Sequence, residues 1–268
     1  MNTKLKYLIK KLLSKRIISK ISKMYLYNSF RGDFKDFKEI EKITTRYDDQ
    51  RIIKRVEYAY NQSLKSNFIN DRDGELTFNK NINFRLINYL NQFNKNNSSN
   101  ILDLGGSLLN FQRSNKNFIL NNNIRWFVVD NKKICELGKK LRIRALFFDD
   151  LEKALISINK SKKSDTTVLC GSVLQYIENL DQIIKICFKY NVKRIIVERQ
   201  PVLQNMNKRI SIQYVPFWIS KLKYPVCLYS DRSMINHFTK YEFKLIDKFN
   251  SFGYPFKDGS YKNFVFKK

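Results

Sequence analysis

The stretch Ile101–Ser107 reads ILDLGGS, an apolar run with an acid at Asp103 that is followed at once by two glycines and a serine. This pattern predicts a buried strand, a tight turn and the start of a helix. Backbone N–H groups at such a turn suit anionic or polar ligands. The stretch therefore indicates the first loop of a nucleotide-type α/β domain, and an ordinary strand-to-helix turn is the alternative interpretation.

Strand and helix patterns alternate on the carboxyl side of this loop. Strand patterns cover residues 100–104, 124–130, 144–148, 166–172 and 193–198. Helical patterns lie near residues 107–121, 132–141, 151–160 and 179–190. Strands that alternate with helices of this length predict a mostly parallel sheet covered on both faces.

The rhythm changes after residue 201. An aromatic-rich stretch through Tyr229 predicts irregular structure, and a helix at 231–240 and strands at 242–249 and 261–267 follow it. The whole pattern predicts an α/β domain over residues 98–268.

The N-terminal part predicts helices. Residues 1–30 carry eight lysines and arginines and no acid, with apolar residues at helical spacing. This is typical of a basic amphipathic helix, which can lie on an anionic membrane through residues 1–28. A helix packed on the domain or bound to a partner is the alternative. Residues 31–97 predict a helical region that packs on the core, and Asp33 is a possible N-cap.

The 268-residue chain has a net charge of +27, with 51 lysines and arginines against 24 acids. Such a charge favours polyanions such as nucleic acid, an anionic membrane or a phosphorylated glycolipid. Lys, Asn, Ile, Phe and Tyr are abundant together, so part of the excess is also what an AT-rich coding sequence would give.

Several classes of protein are not expected. The four cysteines are scattered and there is a single histidine, so neither a disulfide framework nor a metal site is expected. No run approaches the roughly 18 apolar residues of a membrane span, and no signal-peptide core is present. We therefore expect a cytoplasmic protein, peripheral at the inner face of the cell membrane if residues 1–28 bind there.

Candidate ligand-binding residues follow the predicted strands, because ligands of open parallel sheets bind beyond the carboxyl ends of the strands. Asp130 is placed to accept hydrogen bonds from ribose hydroxyls, and Asp149 or Asp150 from an adenine amino group. Each of these acids could instead cap a helix. The predicted cofactor-binding set is Asp103, Gly105, Gly106, Ser107, Asp130, Asp149, Asp150 and Ser172. The chain has neither a G-x-G-x-x-G fingerprint nor a P-loop.

In three places the chain resembles class I S-adenosylmethionine-dependent methyltransferases. The matching runs are DLGGS at 103–107, WFVVD at 126–130 and VLCGSVLQY at 168–176. More narrowly, it resembles a methyltransferase family found among bacterial lipopolysaccharide and capsule biosynthesis genes. That match continues in VERQP at 197–201, QYVP at 213–216, YP at 224–225, GDFKDF at 32–37 and RD at 72–73.

The resemblance implies a Rossmann-like methyltransferase sheet whose last strand is antiparallel. It also implies S-adenosylmethionine as the cofactor, with contacts from Asp103, Gly105, Gly106, Asp130 and the acids at 149–150. The family tends to carry a further glycine where this chain has LLN at 108–110. A bulky Leu109 is therefore expected to crowd the methionine end of the cofactor.

Three functions remain open from the sequence. The first is methyl transfer, O-methyl transfer favoured, to a surface glycan or its lipid-linked precursor. Tyr176 and Arg199 are candidates on the substrate side, and His237 is a candidate general base because of its pKa range. The second is a degenerate methyltransferase fold that binds a partner in a glycan-assembly complex. The third is a nucleic-acid methyltransferase, although no N-P-P-[YF] motif and no Pro-Cys dipeptide occur.

Overall fold

The computed structural model describes residues 24–65, 70–72, 74–77, 82–93, 99–120, 123–160, 165–215, 222–253 and 255–268. Most of the helix predicted over residues 1–30 lies outside the described residues. The strands are β1 (Phe30–Phe34), β2 (Asn70–Arg72), β3 (Glu75–Thr77), β4 (Ser99–Leu104), β5 (Arg125–Val129), β6 (Leu146–Phe148), β7 (Asp165–Gly171), β8 (Arg194–Leu203), β9 (Lys208–Tyr214), β10 (Lys223–Ser230), β11 (Lys244–Asn250) and β12 (Gly259–Lys267).

The helices pack on both faces of one large sheet. They are α1 (Phe37–Ile40), α2 (Gln50–Ser63), α3 (Phe84–Phe93), α4 (Asn110–Asn115), α5 (Lys132–Lys140), α6 (Leu151–Asn159), α7 (Leu180–Lys189) and α8 (Asp231–Thr239). Short 3-10 turns cover Glu41–Ile43 and Leu174–Tyr176. None of the helices in the described residues has both the length and the apolar content needed to cross a bilayer.

The central strands follow the order β6-β5-β4-β7-β8-β12-β11. Strands β4 to β8 run parallel, and β12 runs antiparallel between β8 and β11. Every residue of β4 is buried, as expected of a strand that has a parallel neighbour on each side and helices on both faces. The predicted Rossmann-like sheet with an antiparallel last strand is therefore confirmed.

A second arm of the sheet was not predicted. Strand β8 is longer than β7, and beyond the end of β7 it pairs with β10, which forms an antiparallel hairpin with β9. Strand β1 then pairs with β9 from the other side. The prediction of irregular structure through Tyr229 is therefore wrong. Residues 226–229 are all buried, so the alternation that marks a half-exposed strand is missing.

Strand β1 also corrects the predicted helical start of the N-terminal region. Asp33 lies inside β1, and the residue that caps the following helix is Asp36, whose Oδ1 accepts from the Glu39 N–H at 3.0 Å. Residues 30–34 fit a strand because they pair with β9, which is about 180 residues away along the chain and leaves no local signal.

Two hydrophobic cores hold the helices against the sheet. Helices α6, α7 and α8 bury Leu155, Ile184 and Phe238 against one face. Helices α3 and α5 bury Leu90 and Cys135 against the other face. Helix α2 packs beside α5 on that second side, through residues such as Ile53 and Leu137. The cleft described next opens at the edge between these two layers.

Candidate active site

A cleft of about 780 Å³ opens at the carboxyl edge of the parallel strands. Gly105, Asp130, Asp149 and Ser172 line it, each directly after the last residue of β4, β5, β6 and β7. The segment that covers the cleft comes from the N-terminal region and contributes Phe37, Lys38, Glu41, Thr44, Thr45, Arg46, Tyr47 and Asp48. Parallel topology thus brings together side chains that lie far apart in sequence.

The glycine turn after β4 has a conformation that requires glycine. Gly105 has φ +69°, and its N–H donates to the Val129 carbonyl at 2.8 Å. A Cβ on Gly105 would lie 2.5 Å from Cγ2 of Val173. A Cβ on Gly106 would lie 2.5 Å from Cγ of Asp103. A side chain at either position would therefore collide with a neighbour, with Val173 of the cleft lining at Gly105 and with the buried Asp103 at Gly106.

Asp103 supports this turn from below and does not line the cleft. Its side chain is buried, and Oδ2 has no hydrogen-bond partner among the described residues. Burial raises the pKa of Asp103 well above its usual range, and the charges of Glu198 and Asp130 raise it further. The folded protein therefore holds a proton on this carboxyl more tightly than the unfolded chain does.

Asp130 ties the glycine turn to the end of β5. Its Oδ2 accepts from the Ser107 N–H at 3.0 Å, and its Oδ1 accepts from the N–H and the side-chain amide of Asn131 at 2.7 and 3.0 Å. Ser107 has φ +49°, a left-handed conformation that this contact helps to hold. A carboxylate thus lies on the cleft wall beside the turn, as the sequence predicted.

The two acids after β6 have different positions. Asp149 lines the cleft and forms an ion pair with Lys153 at 3.2 Å, which lowers the pKa of Asp149. Asp150 caps α6, and its Oδ1 accepts from the Lys153 N–H at 2.8 Å. The structure therefore brings Asp149, and not Asp150, to the cleft.

Ser172 and Tyr176 lie on the wall formed after β7. Ser172 has φ +53°, and its N–H donates to the Glu198 carbonyl at 2.9 Å. The Tyr176 hydroxyl donates to Oε1 of Gln213 at 2.7 Å, and its ring lies 4.9 Å from that of Tyr47. Tyr176, which the sequence predicts to be on the substrate side, thus lies in the cleft lining.

Two predicted catalytic residues lie away from the described cleft lining. The Arg199 guanidinium packs over the Tyr261 ring at 4.5 Å, at a bulge between β8 and β12. His237 Nδ1 lies 2.7 Å from Oδ1 of Asp181 and joins α8 to α7, and neither residue belongs to the cleft lining. The cleft geometry gives neither residue contact with a ligand.

Sequence reasoning missed the cover of the cleft. The Phe37 N–H donates to Oε1 of Glu178 at 2.9 Å, and the Thr45 N–H donates to the Lys223 carbonyl at 2.6 Å. The Tyr47 ring stacks on that of Tyr224 at 4.4 Å. The only sequence signal for this segment was the GDFKDF run at 32–37.

Leu109 does not narrow the cleft. The expected crowding is wrong, because its side chain is buried in the core together with Leu86 and Leu90 of α3. Leu108 is buried with Ile52 and Ile134 between α2 and α5. Leu109 adopts φ +60°, which turns the chain from the glycine loop into α4. Among the described residues, no group of His, Cys, Asp or Glu could hold a metal ion.

Comparison with known proteins finds no matching family model and no matching curated protein. Among solved structures, a 1,6-didemethyltoxoflavin-N1-methyltransferase of Burkholderia thailandensis is 13% identical, with a TM-score of 0.43 over 80% of this chain and 88% of that chain. A SAM-dependent methyltransferase of Methanosarcina mazei is 12% identical, with a TM-score of 0.46 over 69% and 96% of the two chains. A magnesium protoporphyrin IX methyltransferase of Synechocystis is 9% identical, with a TM-score of 0.42 over 93% and 100%.

Proposed function

We propose that the protein is an S-adenosylmethionine-dependent methyltransferase. The observation that carries this proposal is that Gly105, the Asp130 carboxylate and Ser172 line one cleft, where Asp130 also accepts from the Ser107 N–H. In an open parallel sheet this edge is where a nucleoside ligand binds. The sequence motifs that resemble class I methyltransferases include Gly105, Asp130 and Ser172, so the resemblance and the position of these residues point to the same cleft.

The residues present fit the cofactor. The cleft volume lies within the range of small-molecule and cofactor sites. Gly105 contributes no side chain to the lining, which lets a ligand approach the backbone at this position. Asp130 would hold the ribose through its carboxylate, and Asp149 would accept from the adenine amino group. Leu109, the one side chain expected to interfere, packs elsewhere.

When bound, the cofactor supplies a methyl group on a positively charged sulfur for attack by a nucleophile of the acceptor. The protein's own contribution is position and exclusion of water. The segment from Phe37 to Asp48 supplies one wall of the cleft, and we propose that it limits the access of water to a bound ligand. Glu178 lies in the lining and holds this cover at Phe37, and its carboxylate is the group we assign to accept a proton from an acceptor hydroxyl.

We further propose that the acceptor is a hydroxyl of a surface glycan or its lipid-linked precursor, reached from an anionic membrane surface through residues 1–28. The narrower family resemblance supports the acceptor, and the eight cations of residues 1–30 without any acid support the membrane. Tyr176 is the substrate-side residue of this proposal.

Calorimetric titration tests the cofactor. We expect heat of binding with S-adenosylmethionine and S-adenosylhomocysteine and none with ATP, since a triphosphate would meet the acids of the lining. Cofactor at about 100 times its Kd should raise the free energy of unfolding by about 2.7 kcal/mol. No binding and no shift at millimolar cofactor would contradict the proposal in full.

Transfer of a labelled methyl group tests the acceptor. The protein is incubated with radiolabelled S-adenosylmethionine and with separated lipid-linked saccharide, polysaccharide and nucleic-acid fractions of its own cells. Label in a saccharide fraction supports the glycan proposal. Label in nucleic acid alone would replace it with the nucleic-acid methyltransferase.

A further inference from the structure

The charge of the cleft differs in sign from the charge of the chain. Five acids line the cleft, namely Glu41, Asp48, Asp130, Asp149 and Glu178, against Lys38 and Arg46. The whole chain carries +27. An acidic lining suits a positively charged cofactor and repels a polyanion. Any basic surface that binds a polyanion therefore lies outside the cleft.

The helices on the two sides of the sheet differ in charge. Helices α2 and α5 together carry seven lysines and arginines against two glutamates. Helices α6, α7 and α8, on the opposite side, carry four against three acids. We call the exposed surface of α2, α5 and the following residues 142–144 the basic face. Lys140 and Glu57 form an ion pair at 3.2 Å across it, so the two helices make one continuous surface.

The basic face also exposes large apolar side chains. Tyr58 of α2 is 60% exposed, and Leu64, which follows α2, is 62% exposed. Tyr58 lies four residues after Lys54 and seven after Arg51, so the aromatic ring and the cations share one side of the helix. Cations around exposed aromatic and aliphatic side chains are the composition of a surface that lies in a membrane interface.

The position of the basic face relates it to the cleft. Helix α2 begins after Asp49 and helix α5 begins after Asn131, and both caps adjoin residues of the cleft lining, Asp48 and Asp130. The Lys133 ammonium donates to the Asp48 carbonyl at 2.7 Å, which joins α5 to the cover of the cleft. A surface bound to the basic face would therefore lie beside the cleft mouth.

We propose that the basic face docks on an anionic lipid bilayer and holds the cleft mouth beside the headgroups. This surface belongs to the folded body, and it adds to the membrane contact that the proposed function gives to residues 1–28. The inference rests on that part of the proposed function, and it requires no particular acceptor. Charge complementarity suits either polyanion, and the exposed Tyr58 and Leu64 favour a bilayer over nucleic acid.

Vesicle flotation of the full chain tests this proposal. The vesicles contain phosphatidylglycerol and phosphatidylcholine in equal amounts, with pure phosphatidylcholine for comparison. The first variant combines Lys54→Gln, Lys139→Gln and Arg144→Gln on the basic face. The matched control combines Lys160→Gln, Lys185→Gln and Arg232→Gln on the α6, α7 and α8 side, where all three residues are exposed. Both variants lose the same charge and keep residues 1–28.

We expect the basic-face variant to bind anionic vesicles about a hundredfold more weakly, since each cation at such a surface contributes about fivefold. The control should bind like the wild type. Equal weakening of both variants, or flotation of both like the wild type, would overturn the proposal. Binding to a mixed-sequence oligonucleotide with no binding to vesicles would also overturn it, and would assign the face to nucleic acid.

The cofactor provides an independent reference. None of the substituted residues lines the cleft, so both variants should bind S-adenosylmethionine like the wild type. Normal cofactor binding with unchanged flotation would reject the basic face and leave the proposed methyltransferase intact. If the wild type does not bind S-adenosylmethionine, the proposed methyltransferase is rejected. The flotation result would still decide whether the basic face docks on a bilayer.

Discussion

The carboxyl edge of the sheet and the α7–α8 face both carry polar side chains that could take part in binding or catalysis. The two regions use these side chains differently. At the edge, Asp130 lines a cleft while it holds the backbone of Ser107. On the α7–α8 face, Asp181 accepts from the Lys240 ammonium and lies against His237, and the three side chains join two helices. The neighbours of a side chain, and not its residue type, therefore separate a candidate ligand-binding group from a structural one.

The largest expected effect concerns two glycines of the cleft edge. Gly105→Ala places a Cβ 2.5 Å from Val173 at φ +69°, so we expect the free energy of unfolding to fall by about 3 kcal/mol. Gly171 also lines the cleft, but its added Cβ would meet only Glu198 at 3.7 Å. Urea denaturation should show Gly171→Ala within about 0.5 kcal/mol of the wild type. Equal losses would show that the turn is not specifically constrained.

The second largest effect is expected from a pair of substitutions, one at the carboxyl edge and one on the α7–α8 face. Asp130→Ala removes a charged acceptor from the cleft wall and from the glycine turn, so S-adenosylmethionine affinity should fall by about 2 kcal/mol, roughly 30-fold. His237→Ala should leave that affinity unchanged, because His237 pairs with Asp181 and neither side chain lines the cleft. Titration calorimetry on both variants checks this. A comparable loss in His237→Ala would break the distinction between the edge and the α7–α8 face.

Asp103 is expected to make the free energy of unfolding depend on pH. Because its pKa is raised in the folded protein, the folded state holds this proton more tightly than the unfolded state. The resulting stability is fully present below the pKa of the unfolded carboxyl and is lost as pH rises through the folded pKa. The slope reaches at most about 1.4 kcal/mol per pH unit. Asp103→Asn should remove this decline, measured by denaturation at a series of pH values from 4 upward, and an unchanged slope would contradict the assignment.

The smallest effects separate two neighbouring acids. Asp150→Ala removes the cap of α6, so the free energy of unfolding should fall by about 1 kcal/mol with no change in cofactor affinity. Asp149→Ala removes an exposed acid of the cleft, so cofactor affinity should fall by about 1 kcal/mol with little change in stability. For each variant, denaturation gives the change in the free energy of unfolding and calorimetry gives the change in cofactor affinity. The same loss in both measurements for both variants would contradict the division of roles.

The central sheet could be predicted from sequence because its strands and helices carry local periodicity. The strand predicted at 166–172 is found at Asp165–Gly171, and the helix predicted at 179–190 is found at Leu180–Lys189. Strands β1, β9 and β10 could not be predicted in the same way. Their stability comes from pairing with each other and with β8, and the buried run at 226–229 resembles any apolar segment.

Residues of the candidate site could be predicted only where a suitable side chain directly follows a recognisable strand. Asp130 follows a clear strand, so its place at the sheet edge follows from topology. Asp149 and Asp150 are chemically equivalent in sequence, and only the helix start at Leu151 decides which of them becomes the cap. Glu178 and Tyr47 gave no signal, because their place in the lining depends on a cover that pairs with β9 and β10 through contacts nearly 180 residues apart.

The pairing of β1 with β9 has a consequence for the order of folding. The cover of the cleft follows β1 directly, and β1 finds its hydrogen-bond partners only in residues 210–213. Contacts of such sequence separation form late, because a long loop has to close before they form. During synthesis the glycine turn and Asp130 emerge early, whereas the cleft gains its cover only after Tyr214 has left the ribosome. Most of the remaining cleft lining has emerged once Glu178 has left the ribosome, so we expect the nascent chain to expose an open cleft until residues 210–213 become available to pair with β1.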